Sequence, residues 1–127
     1  MLICHCQMCQ KASGSAFAPV MFVKSGEIEV AGATQGYKSS VQGERHFCPA
    51  CGSSLFFKRF SMPQVCGVMV GSLDDAQDFK PALQVCMSSS VTWLETMSSA
   101  QGFPEKPAHM TPTLIYDPMT GQASERS

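Results

Sequence analysis

Five of the seven cysteines lie in two short clusters, and their spacing is that of metal ligands. A two-residue gap between cysteines lets both sulfurs point into one turn, where they bind an ion such as zinc at about 2.3 Å. Two C-x2-C pairs of this kind are a strong metal signal in an intracellular protein. A tetrahedral ion takes four thiolates, so five candidates leave one over, and we expect the function to depend on that surplus. The five candidates are Cys4, Cys6, Cys9, Cys48 and Cys51.

The first cluster, C-x-C-x2-C, offers three thiolates from one short segment, Cys4, Cys6 and Cys9. Three protein ligands with an open fourth position are typical of a catalytic zinc site. A small thiol could fill that position and be held there as a thiolate. Such an electron-rich sulfur would attack an electrophilic carbon, for example an aldehyde carbonyl.

The second cluster, Cys48-Pro49-Ala50-Cys51-Gly52, has the form of a zinc knuckle with a structural role. Two assemblies are therefore open. In one, Cys6 and Cys9 join Cys48 and Cys51 in a single closed site, a zinc ribbon with Cys4 spare. In the other, the first cluster forms an open site of its own, and the knuckle needs ligands from elsewhere. Spacing alone slightly favours the ribbon, because nothing is then missing from its coordination.

Short apolar segments separated by glycines predict the elements that position these clusters. They lie at residues 16–23, 28–30, 54–60 and 65–70 and have the length and composition of strands. Helical signals are weaker and are confined to a turn at 74–77 and one or two helical turns at 90–95. The sequence therefore predicts an all-β, single zinc-dependent domain of antiparallel strands.

Several other chemically interesting side chains have ordinary structural interpretations. Cys66 and Cys86 lie in short apolar runs and are expected in the core, where free cysteine often packs. Trp93 is expected in the core as well. His5 and His46 are expected to point to solvent.

Length and composition fit one globular domain with a small-molecule partner. The chain has 127 residues, of which 44% are hydrophobic and 15% charged, with a net charge of −1. The basic residues are scattered, unlike the basic stripe of a nucleic-acid binder, and no apolar run approaches a membrane span. Without an apparent secretory signal, we expect a cytoplasmic protein with reduced thiols. We expect the zinc-binding domain at residues 1–104 and a loosely packed, proline-containing tail at 105–127, with one edge strand at 113–116.

Four segments of the chain resemble the glutathione-dependent formaldehyde-activating enzyme family, which also includes relatives of centromere protein V. The run CHCQMCQKASGSAF at residues 4–17 resembles the family signature, and RHFCPACGS at 45–53 resembles its knuckle. The blocks GSLDD at 71–75 and SSVTW at 89–93 resemble two further family segments. The resemblance runs in the right order from about Cys4 to Pro104.

This resemblance implies a fold of stacked β-sheets that bears zinc. It implies a catalytic zinc on Cys4, Cys6 and Cys9, and a structural zinc on Cys48 and Cys51 with a C-x-C pair upstream. It also implies the activity of an S-(hydroxymethyl)glutathione synthase, a carbon–sulfur lyase-type enzyme that adds glutathione, its thiol substrate, to formaldehyde or a related small aldehyde. The alternatives left open are a non-catalytic structural zinc module and a thiol redox switch in which Cys4 or Cys6 forms a disulfide as zinc leaves. The oligomeric state is left open too.

Glutathione carries two carboxylates, so its binding site needs cations. Lys11, Arg45 and Arg59 lie near the clusters in sequence and are the candidates, although each type is common as a solvated surface charge.

Three departures from the family pattern affect these expectations. Gln10 stands where an arginine is usual, and Gln84 stands where a histidine is common. The sequence begins three residues before Cys4, so the upstream C-x-C hairpin is expected to be missing, through a shortened form or a misassigned start. Cys4 or His46 would then be recruited to complete the knuckle site.

Overall fold

The computed structural model describes residues 1–105, 114–116 and 123–125. Strands dominate these residues, together with one α-helix and four short 3-10 helices. The helix is α1 (Gln7–Ser13), and the 3-10 helices are Ser25–Glu27, Val70–Ser72, Met87–Ser89 and Thr92–Ser99. The strands are β1 (Leu2–Cys4), β2 (Ala18–Lys24), β3 (Gln35–Ser40), β4 (Gly43–Phe47), β5 (Ser54–Arg59), β6 (Val65–Met69), β7 (Leu83–Val85), β8 (Leu114–Tyr116) and β9 (Ala123–Glu125). The prediction of an all-β, antiparallel-dominated domain is confirmed.

Seven strands form one curled sheet in the order β3-β4-β5-β6-β2-β1-β7. All neighbours are antiparallel except β1 and β7, which run parallel. Six strand spacings of about 4.8 Å would separate the edges of a flat sheet by about 29 Å. Yet one cavity is lined both by Ser39 of the edge strand β3 and by Val85 of the opposite edge strand, β7. The sheet therefore curls around that cavity.

The core lies where α1 packs on the middle of the sheet. Ala18 and Val20 of β2 and Met69 of β6 are almost fully buried, and Cys9 of α1 packs against them. Val20 is paired directly with Met69 across the two strands. Leu2, Cys4, Cys6 and Phe57 are packed around this cluster. The first cysteine cluster is thus continuous with the core.

Helix α1 is an element that the sequence interpretation missed. It begins after Cys6, whose Sγ accepts a hydrogen bond from the backbone N–H of Cys9 at 3.3 Å and so acts as an N-cap. It ends at Gly14, which has the left-handed φ of 62° that closes a helix. Gln, Met, Lys and Ala within it are good helix formers. Seven residues are too few to show a helical period, which is why the segment looks like a loop in the sequence.

Three local expectations differ from the structure. Residues 28–30 are not a strand, because β2 ends at Lys24 and no described strand pairs with them. Cys86 is exposed rather than buried, because β7 ends at Val85 and Cys86 turns the chain with a left-handed φ of 57°. Trp93 lies beyond the last strand of the sheet and is 56% exposed. By contrast, Cys66 lies buried in β6 as expected.

The chain divides into two compact units, Met1–Leu94 and Glu95–Ser127. The seven-stranded sheet belongs to the first unit, and the second contains the antiparallel pair β8–β9. The expected strand at 113–116 corresponds to β8, whereas most of the expected tail, 105–127, lies outside the described residues. The expected boundary at residue 104 therefore stays a prediction. Within the described residues, no helix has both the length and the apolar character to cross a membrane.

Candidate metal centre

Three thiols of the first cluster converge on one point. Cys4 is the last residue of β1, Cys6 caps α1, and Cys9 lies in the first turn of that helix. Their Sγ atoms all lie within 4.8 Å of one another. Tetrahedral zinc with Zn–S bonds of about 2.3 Å separates its sulfurs by about 3.8 Å. Small rotamer adjustments would therefore bring these three sulfurs to the separation that a zinc ion requires.

The local backbone explains why the C-x-C-x2-C spacing produces this convergence. Successive side chains of an extended segment point to opposite faces, so Cys4 and Cys6 share one face and His5 takes the other. Residues three apart on a helix are neighbours, which brings Cys9 back toward Cys6 across the first turn of α1.

Burial and hydrogen bonding shift the pKa values of the three thiols in different directions. Burial raises the pKa of Cys4. Burial also raises the pKa of Cys6, but hydrogen bonds from the Cys9 amide and from the neighbouring thiols outweigh it, and the pKa is lowered overall. Burial raises the pKa of Cys9 to about 12, against an opposing hydrogen bond from Arg45. Cys6 therefore ionises more readily than Cys4 or Cys9, and a bound cation would favour the thiolate form of all three.

Arg45 is buried against this cluster rather than exposed. It is only 6% exposed on β4, and its Nη2 donates a hydrogen bond to Cys9 Sγ at 3.4 Å. Its guanidinium also lies 5.1 Å from the centre of the Phe57 ring, a cation–π distance. A fixed positive charge at this position favours a thiolate on Cys9 and offsets part of the negative charge of a three-thiolate set.

The three cysteines line a cavity of about 720 Å³ on the concave side of the sheet. Of the three residues predicted to bind carboxylates, Arg45 and Arg59 also line this cavity. Lys58, which was not among the predicted residues, lines it as well. Arg59 ends β5 and is exposed. Lys11 is exposed on α1 and is not among the residues that line this cavity.

His5 faces away from the cluster and is buried, contrary to its expected exposure. It is 2% exposed, and its ring packs against Phe17 with the ring centres 5.8 Å apart. Its Nε2 donates to Gln84 Oε1 at 2.8 Å, which joins β1 to the parallel edge strand β7. Gln10 Nε2 donates to the carbonyls of His5 at 2.6 Å and Ser89 at 2.9 Å. Gln84 thus holds the His5 side chain, and Gln10 holds the backbone carbonyls of His5 and Ser89.

The knuckle formed by Cys48 and Cys51 lies at a different place. The Gly52 N–H donates to the Cys48 carbonyl at 2.8 Å, and the Cys48 N–H donates to the Ser53 carbonyl at 2.9 Å. Gly52 has a φ of 77°, so the turn requires glycine there. Hydrogen bonding, first of all with the Ser53 hydroxyl, lowers the pKa of the exposed Cys51 thiol. Both cysteines line a second cavity, of about 440 Å³.

The described residues do not assemble the zinc ribbon that spacing alone favoured. Within residues 1–105, the three-ligand cluster comprises Cys4, Cys6 and Cys9, and no third ligand joins Cys48 and Cys51. His46, which was expected to point to solvent or to complete the knuckle site, is partly buried. Its ring is hydrogen-bonded to Glu44 and Thr34.

Cys86 is a cavity residue that the sequence interpretation missed. Cys86 is exposed and lines the same cavity as the three-cysteine cluster. The sequence signal was weak, because Val85-Cys86-Met87 looks like a continuous apolar strand. Only the left-handed turn at Cys86 places it at the cavity.

Comparison with known proteins gives a family for this structure. Residues 1–89, which contain both cysteine clusters, match the family model of the glutathione-dependent formaldehyde-activating enzyme. The match covers 89 of the 127 residues. No curated protein matches the chain.

Proposed function

Since the chain belongs to the glutathione-dependent formaldehyde-activating enzyme family, we propose that it joins the thiol of glutathione to formaldehyde or a related small aldehyde. It is on this proposal a zinc-dependent, carbon–sulfur lyase-type enzyme that works on small molecules in the cytoplasm, where thiols stay reduced. One observation carries the proposal: three thiols from β1 and α1 converge at the wall of a cavity large enough for a small-molecule ligand.

Cys4, Cys6 and Cys9 would hold the zinc ion, and the donor set fits it. Their sulfurs are close enough for one ion, the ligands are the soft thiolates that zinc accepts, and Arg45 supplies a compensating charge. When bound, zinc supplies a Lewis acid that holds an incoming thiol in its thiolate form at neutral pH.

The chain's own residues supply binding and orientation. Arg59 offers a cation to the carboxylates of glutathione at the cavity, whereas the Lys58 ammonium lies 5.8 Å from the centre of the Phe56 ring, a cation–π distance. Arg45 is already engaged with Cys9 and the Phe57 ring, so its proposed role shifts from binding substrate to supporting a ligand. Lys11 lies outside the cavity lining and has no proposed role. In the reaction the sulfur forms a bond to the aldehyde carbon, the carbonyl π bond breaks, and the thiol proton ends on the carbonyl oxygen.

The knuckle is proposed as a second, structural zinc-binding element. Cys48 and Cys51 already have the turn geometry for two ligands of one ion. No third ligand for this pair lies among the described residues.

Magnetisation-exchange NMR tests the proposed reaction. The zinc-loaded protein should accelerate exchange between free formaldehyde and its glutathione adduct above the uncatalysed rate. Cys4→Ser and Cys9→Ser should each reduce this acceleration more than about 100-fold, since even loss of an outer-shell partner costs 10- to 100-fold. Cys66→Ser removes a thiol from the core instead of the cluster and retains a donor for the Phe57 carbonyl, so it should preserve the activity. No acceleration by the zinc-loaded wild type would refute the proposal.

A further inference from the structure

The cavity beside the three cysteines is mostly apolar. The walls contributed by β1, β2, α1 and β5 carry Leu2, Val20, Phe22, Met8 and Phe57, and Val65 of β6 adds to them. Phe22 and Phe57 meet edge to face with their ring centres 5.9 Å apart, so they form a continuous aromatic surface. Phe22 remains 43% exposed. This surface is available to a ligand.

Neither formaldehyde nor glutathione makes use of such a surface. Formaldehyde has a single carbon and no apolar group to bury, and a cavity of about 720 Å³ is in the range that holds whole drug-sized ligands. Glutathione is polar and doubly anionic at its ends. It would use the cation that Arg59 of β5 contributes, since Arg45 is engaged with Cys9 and the Lys58 ammonium lies over the Phe56 ring. The exposed apolar surface that Phe22 contributes to the cavity is left uncovered by either substrate.

We propose that the electrophile is an aldehyde that carries an apolar alkyl or aryl group of several carbons. This inference rests on the proposed thiol–aldehyde addition and specifies its substrate class. The thiolate sulfur bonds to the aldehyde carbon, the carbonyl π bond breaks, and the thiol proton passes to the carbonyl oxygen. The apolar group lies against the Phe22 and Phe57 surface, where it displaces water from the walls.

The magnitude follows from the apolar area removed from water. One fully buried methylene strengthens binding about fourfold, and one buried on a single side about twofold. The catalytic efficiency should therefore rise about two- to fourfold per methylene along a series of straight-chain aldehydes until the cavity is filled.

The series from propanal to heptanal tests this with glutathione as the thiol. Each rate from magnetisation-exchange NMR is divided by the uncatalysed rate for the same aldehyde, which removes differences in intrinsic carbonyl reactivity. A rise of two- to fourfold per methylene supports the inference. If the rate enhancement stays constant or falls with chain length while the formaldehyde reaction is accelerated, the inference is overturned and the proposed function stands. No acceleration of any aldehyde, formaldehyde included, overturns both.

Matched variants test whether the dependence on chain length arises at the apolar surface of the cavity. Phe22→Ser should flatten the chain-length dependence, whereas Tyr37→Ser removes a similarly exposed aromatic residue (45% against 43%) that is not part of the cavity lining and should leave it unchanged. Val41→Asp provides a second test with little effect on folding. Val41 lines the cavity, is 92% exposed and would place a charge there. An unchanged slope in both Phe22→Ser and Val41→Asp would overturn the inference.

Discussion

Arg45 offers the sharpest test of how the metal centre is supported. Replacing Arg45 with Gln removes the hydrogen bond from Nη2 to Cys9 Sγ and the positive charge over the Phe57 ring. In the zinc-bound protein Cys9 is a thiolate, so a charge-assisted hydrogen bond worth about 1.5–3 kcal/mol is lost. Since 1.36 kcal/mol corresponds to a tenfold change in an equilibrium constant, zinc should bind roughly 10- to 150-fold more weakly.

Competition with a chromogenic chelator at pH 7.5 measures this change. Arg59→Gln is the matched control, because it removes the same charge from an exposed residue that lines the cavity without a hydrogen bond to Cys9. Arg45→Lys retains the charge but cannot reproduce the planar donor, and should give an intermediate affinity. Circular dichroism would establish that each variant is folded. Zinc affinity within threefold of wild type in a folded Arg45→Gln protein would refute the reasoning.

Three further predictions concern stability and can be measured by urea unfolding. Burial raises the pKa of Cys9 from 9.0 to about 12, so the native state keeps a proton that the unfolded chain releases. The stability that the protonated Cys9 contributes to the zinc-free protein should therefore be fully present below pH 9. The free energy of unfolding should then fall as the pH rises toward 12. Cys9→Ala should show a shallower fall, and an equal fall in both proteins would contradict the assignment. Gln10→Ala should destabilise the protein by about 1–3 kcal/mol because two backbone carbonyls lose their donor. No loss of stability would mean that water replaces both bonds. Gly67→Ala should cost about 1–3 kcal/mol, since the added Cβ would lie 2.3 Å from Phe57 Cζ. A neutral effect would show that the ring moves freely.

Part of the site can be predicted from residue spacing, because its causes are local. Alternation along an extended segment and the i, i+3 relation on a helix bring Cys4, Cys6 and Cys9 together without any long-range contact. The same alternation places His5 opposite the thiols, so its burial was within reach of the sequence. What the sequence lacks is the partner: Gln84 is 79 residues away, and only the β1–β7 pairing brings it to His5.

The remaining features depend on the curl of the sheet. Arg45 alternates along β4 with Glu44 and His46, all polar, so the strand pattern gives no sign of which side chain faces inward. Its contact with Cys9 spans 36 residues and exists only because β4 and α1 meet across the curled sheet. The exposed position of Cys86 follows from one left-handed residue in an otherwise apolar run. Such features are tertiary and cannot be derived from a local pattern.

Zinc X-ray absorption of a Cys48→Ser, Cys51→Ser protein tests the central claim most directly, because it isolates the centre at Cys4, Cys6 and Cys9. We predict three sulfur ligands and one lighter ligand without glutathione, and four sulfur ligands at about 2.3 Å after millimolar glutathione is added. Four sulfur ligands in the absence of glutathione, reduced to three by Cys86→Ser, would show that the chain fills its own coordination sphere. That result would contradict the account.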